Sequence, residues 1–99
     1  MERVACRTPA EGRDGVTNIP AWKFEAVRRA ILDELAEGDI VNKDLRDRVG
    51  ARLSAEDLAN LGKLGWHVVT VKLEMEVRGE IARLPGSGPI KLTSGRTAT

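Results

Sequence analysis

The chain is 99 residues long, the size of one domain, because compact domains run from about 50 to 250 residues. At this length only about 60–65% of the unfolded chain's surface is buried, which excludes a second lobe, a large barrel or a cofactor with its own fold. Hydrophobic residues make up 41% and charged residues 31%, and 16 Lys plus Arg against 15 Asp plus Glu leave a net charge of +1, which excludes a strongly basic nucleic-acid coat and an acidic tail.

Residues 1–19 are polar and interrupted by Pro9, Gly12 and Gly15. Arg3, Arg7 and Arg13 balance Glu2, Glu11 and Asp14, and the segment reads as a flexible N-terminal arm. It has no apolar stretch of the kind a signal peptide needs, and no run in the chain reaches the ~18 apolar residues that span a bilayer, so a membrane is not an expected partner. Cys6 is the single cysteine, which excludes an intrachain disulfide and a zinc framework and fits a reduced cytoplasm. In a polar arm beside Arg7 it reads as an exposed, inert thiol, since one adjacent cation does little to activate it.

The domain proper is expected over 20–93. Pro20 suits the first helical position, and Phe24, Val27, Ile31 and Leu35 recur every three or four residues, predicting a helix over 21–37 closed by Gly38. Asp39-Ile40-Val41 is a short β-prone link. Asn42 is placed to cap a second helix, 43–52, with Leu45, Val49 and Leu53 inward and Asp44 set to pair with Arg48. Ser54 with Asp57 resembles a capping box and opens a third helix, 54–61. Gly62 and Gly65 mark a turn.

Residues 66–78 carry two patterns at once. Val69, Val71, Leu73, Met75 and Val77 alternate with polar residues, as in a strand with one buried face. Leu61, Leu64, Val68, Val71 and Met75 also fall at helical spacing, so the local pattern leaves both open. Beyond it, Glu80–Leu84 and Pro89–Leu92 flank Pro85-Gly86-Ser87-Gly88, which predicts a β-hairpin. Residues 94–99 read as a frayed tail.

Met75-Glu76-Val77-Arg78-Gly79-Glu80-Ile81-Ala82-Arg83 resembles the Leu-Glu-x-Arg-Gly-x-Ile-x-Arg stretch in which the recognition helix of winged helix-turn-helix regulators ends and the wing begins. Gly65-Trp66-His67 through Gly79 is similar to a family of small bacterial proteins of unknown function associated with that fold. The resemblance implies an α+β winged helix-turn-helix, helices followed by a C-terminal β-hairpin wing, with 66–78 helical and Gly79 at its end. It implies a DNA-binding, transcription-regulator-like protein whose wing meets double-stranded DNA. Lys72 stands where such helices carry an apolar residue.

Arg78, Arg83, Lys91 and Arg96 against Glu80 alone give the C-terminal part a local excess of positive charge. With Lys72 they are the candidate nucleic-acid contacts, since rows of cations neutralise phosphates. The same cations would also keep a hairpin edge soluble. On a helix, Trp66, Thr70, Leu73 and Val77 lie opposite the core stripe, and Glu74 and Glu76 would repel phosphates. An apolar outer face argues for cover by a second copy or another protein, with Trp66, Leu73 and Val77 as the interface. Trp22 and Trp66 otherwise read as core or core-edge anchors.

No catalytic constellation appears, and an enzyme is not expected. His67, the sole histidine, reads as a helix-start residue making one hydrogen bond. Gly86-Ser87-Gly88 lacks the lysine and helix of a phosphate loop. Asp44 with Asp47, and Glu74 with Glu76, have no His or Cys at ligand spacing, so neither a metal nor another cofactor is expected.

Overall fold

The computed structural model describes residues 2–7, 16–86 and 88–94. Among these, the fold is mixed α+β, with four helices and two small antiparallel sheets. The arm expected to be loose instead contributes β1 (Arg3–Arg7) and β2 (Val16–Pro20), an antiparallel pair with Val4 opposite Ile19 and Cys6 opposite Thr17. Alternation explains it: Cys6 and Ile19 point into the core at 2% exposure, while Arg3, Ala5 and Asn18 face solvent. Burying Ile19 alone is worth about 1.5–3 kcal/mol, enough to hold a short strand down.

Helix α1 (Ala21–Ala36) buries Phe24, Val27, Ala30, Ile31 and Leu35, the stripe its periodicity requires. Pro20 sits one position earlier than expected, as the N-cap, and has no side chain that can cap. The Glu2 carbonyl accepts from the Ala21 N–H at 2.8 Å, so the hairpin satisfies a helix-start donor. Next come β3 (Ile40–Val41), a 3-10 turn over Asn42–Asp44, and α2 (Leu45–Arg52), which buries Leu45 and Val49. Asn42 makes no side-chain cap. Its N–H donates to the Ile90 carbonyl at 2.7 Å, because pairing of β3 holds this stretch in sheet register. Arg48 likewise leaves Asp44 and reaches Glu34 on α1 at 3.1 Å.

Helix α3 (Ala55–Leu61) begins as expected, with the Ser54 hydroxyl accepting from the Asp57 N–H at 3.0 Å. Helix α4 (Leu64–Arg78) resolves the double pattern in favour of the helix. Its Val68, Val71 and Met75 are buried with Leu61, and α4 packs on α1, α2 and β1. A strand would have left Lys72 and Glu74 in water, whereas the helix turns both inward beside partners. The helix crosses α2 closely: a Cβ at Gly50 would lie 2.9 Å from Leu64 Cδ2.

Gly79 ends α4 at φ +81, ψ 12, the left-handed region that costs other residues energy. Its N–H donates to the Glu76 carbonyl at 3.1 Å, and the Glu80 N–H donates to Met75 at 2.9 Å, the Schellman arrangement. The chain then enters β4 (Ile81–Arg83) and β5 (Lys91–Ser94), paired with Arg83 opposite Leu92. β3 joins the other edge, Ile40 opposite Leu92, so the sheet order is β3-β5-β4. Ile40, Ile81 and Leu92 close the core beneath α1 and α4. Neither Trp22 nor Trp66 belongs to that core; they are 39% and 46% exposed.

Candidate nucleic-acid interface

The outer side of the molecule around α4 is built by three segments: the start of α2, α4 itself and the β4–β5 ribbon. Gly79 fixes the exit angle of α4, and Arg28 on α1 fixes the ribbon root. The Arg28 guanidinium grips Glu80 through two oxygens, Nε to Oε1 at 3.0 Å and Nη2 to Oε2 at 2.8 Å. The ribbon is therefore anchored to the helical body at Glu80, the residue just before β4.

The expected cations meet different fates. Arg78 is exposed but folds back on the helical body: its Nε donates to Glu74 Oε2 at 2.8 Å, and its guanidinium lies 4.7 Å from the centre of the Phe24 ring. Glu74 is 1% exposed, so neither it nor Arg78 is presented outward as an isolated charge. Arg83 lies on the ribbon and donates from Nε to Glu76 Oε1 at 3.1 Å. Lys91 is exposed on β5. Arg96 lies outside the described residues, as do Ser87 and 95–99.

Lys72 is buried on the side of α4 that faces the start of α2. Its ammonium stands 3.6 Å from Glu76 Oε2, an oxygen that is itself buried without a hydrogen bond. Burial holds the Lys72 pKa below the usual lysine range despite that carboxylate. Lys72 and Arg83 thus bracket Glu76, which weakens the repulsion expected from this carboxylate.

Lys72 also lines a cleft of about 390 Å³ between the start of α2 and α4. Asn42, Lys43, Leu45 and Arg46 form one wall, and Gly65, Val68, Val69 and Lys72 form the other. Lys43 and Arg46 are exposed, and Arg46 pairs with its neighbour Asp47 at 3.4 Å, across water-exposed side chains. Such a pair is worth at most about 1 kcal/mol. Asn42 was read only as a helix cap, and Lys43 and Arg46 were not singled out in the sequence. The legible signal was Asn-Lys-Asp-Leu-Arg directly after a β-prone link, facing a glycine at 65.

The expected apolar interface is narrower than the sequence suggests. Trp66 is half-exposed and Val69 is 52% exposed, whereas Leu73 and Val77 are each half-buried. Val69 joins Trp66, a member missed because alternation had assigned it to a strand. At the ribbon tip, Leu84 and Ile90 are exposed beside Pro85 and Pro89.

His67 makes its hydrogen bond to the Lys63 carbonyl through Nδ1 at 2.7 Å, and its ring meets Trp66 edge-on at 4.8 Å. Cys6 is buried rather than exposed, and burial, reinforced by Glu74, pushes its thiol up to about 11. Among the described residues there is no group of three or more His, Cys, Asp or Glu able to hold a metal ion. No helix among them is long and apolar enough to cross a membrane.

No curated protein and no solved structure matches the chain. One family model does, over residues 3–92, from β1 to the middle of β5. That span covers nearly the whole molecule, and the chain belongs to this family, described as a family of unknown function (DUF6958).

Proposed function

We propose that the chain is a winged-helix domain that binds double-stranded DNA without catalysis. The observation that carries this reading is the order of the three-stranded sheet. β3, between α1 and α2 in sequence, pairs with β5, and α4 passes through Gly79 directly into the β4–β5 ribbon. In that arrangement α4 is the helix offered to a groove, and the ribbon is the wing beside it. Lys43 and Arg46 before and within α2, with Arg83 and Lys91 on the ribbon, supply phosphate contacts around it. The outer side of α4 carries Trp66 and Val69 rather than base-reading amides, which favours backbone and shape recognition over direct readout. A non-catalytic role accords with His67 being tied to a backbone carbonyl and with a buried Cys6 thiol.

The test is fluorescence anisotropy with a generic duplex at low salt. Four phosphate contacts give a slope of about −3 to −4 in log affinity against log salt. The paired change of Arg83 and Lys91 to Glu is expected to weaken binding at least tenfold. Absence of binding near micromolar protein, or binding indifferent to salt, overturns the reading. The exposed Trp66–Val69 pair favours a second reading, docking of another protein or a second copy on α4. Sedimentation tests its self-association form, and a clean monomer at high concentration argues against it.

A further inference from the structure

We propose that the cleft between α2 and α4 is an oxyanion site that takes a phosphate group, with Lys72 as its inner cation and Lys43 and Arg46 at its rim. The inference rests on the DNA reading for the source of that phosphate, a duplex backbone phosphodiester. It stands on three independent features of the cleft.

The first is charge. The walls carry three cations and Asn42, and among the described residues no carboxylate lines the space. The second is the state of Lys72. Its side chain is only 7% exposed, yet its closest carboxylate oxygen is 3.6 Å away, past hydrogen-bond reach. An ammonium has three donors, and one long carboxylate contact leaves it able to take a further acceptor on the cleft side. The third is shape. The Arg46 stem lies beside Gly65 on α4, its Cδ at ordinary contact distance, 3.4 Å, from where a Cβ would stand, which brings this rim cation over the helix. Leu45 and Val68 form an apolar floor that lowers the local dielectric and strengthens the cation–anion attraction. An incoming phosphate would accept charge-assisted hydrogen bonds from Lys72 and the rim cations.

The same chemistry also suits free phosphate, and the experiment separates the two sources. Inorganic phosphate is titrated at constant ionic strength into the nitrogen-15-labelled full chain, and a generic duplex is titrated in parallel by anisotropy. Wild type, Lys72→Met and Arg46→Gln are compared. Phosphate is expected to shift the amides of 42–46 and 65–72 saturably, at least fivefold more weakly in either variant. Duplex affinity is expected to fall at least fivefold in both, with the salt slope reduced by about one. If wild type and variants bind duplex alike and phosphate leaves those amides unmoved, the cleft is not the site and the DNA reading survives. If phosphate binds in the cleft but wild type ignores duplex, the DNA reading fails and the cleft is a free-phosphate site. Silence in both titrations sinks both. Arg46 is exposed and holds no core contact, so Arg46→Gln decides the matter even if Lys72→Met disturbs folding.

Discussion

At Cys6, burial and the Glu74 carboxylate keep the thiol protonated well above neutral pH. The thiolate is the reactive form, so at pH 8 an aromatic disulfide reagent is expected to label the folded chain roughly a hundredfold more slowly than the denatured chain. Similar rates in the two states would show that β1 does not shield the sulfur. Glu34 is a second buried group, 8% exposed on α1, and accepts from Arg52 and Arg48 of α2. Those guanidinium groups, Arg52 foremost, hold its carboxyl below the usual range. A carboxyl whose folded pKa is depressed stabilises the fold above its unfolded pKa of about 4.3, and that contribution is lost as pH falls through the lower folded value. Glu34→Gln is therefore expected to cost about 1–2 kcal/mol at pH 7 and to flatten the acid limb. Urea unfolding between pH 3 and 7 measures both, and an unchanged pH dependence refutes the role. Hydropathy alone places charged residues such as Glu34, Lys72 and Glu74 in solvent. It missed them because their burial depends on partners that only the folded chain supplies, and two of those partners lie on other elements.

α1, the Ser54 cap and the β4–β5 hairpin were legible, because each is written in local spacing or in cap and turn residues, whereas the Gly79 stop came only with the winged-helix resemblance. The α4 stretch was not legible, since Val-x-Val-x-Leu-x-Met satisfies a period of two while Val68, Val71 and Met75 satisfy one of 3.6. Core demand from α1 and α2 decides between them. The β1–β2 pair was hidden by the Pro- and Gly-bearing stretch between its strands, which made 1–19 look like one loose unit. Gly79 offers a direct test at this scale. Gly79→Ala is expected to destabilise by about 1–2 kcal/mol, the cost of a Cβ in the left-handed region, with Gly79→Asn milder. For a domain of this size that lowers Tm by roughly 4–8 °C per kcal/mol. A neutral alanine would mean that α4 does not end in this geometry.

Across the whole molecule, the central place of β5 matters most. It is flanked by β3 and β4, and its Leu92 is fully buried between Ile40 and Arg83. A chain ending after Ser94 is expected to keep its circular dichroism and cooperative unfolding, while one ending after Gly88 is expected to lose cooperativity. Equal behaviour of the two truncations would remove β5 from its structural role. The cleft was least visible beforehand, because its walls come from segments some twenty residues apart, with α3 between them. The keystone strand also follows both of its neighbours, β3 and β4, in the chain. Until it docks, Ile40 and Ile81 have no lid, so a folding chain holds an open apolar seam whose closure waits on a contact between segments distant in sequence.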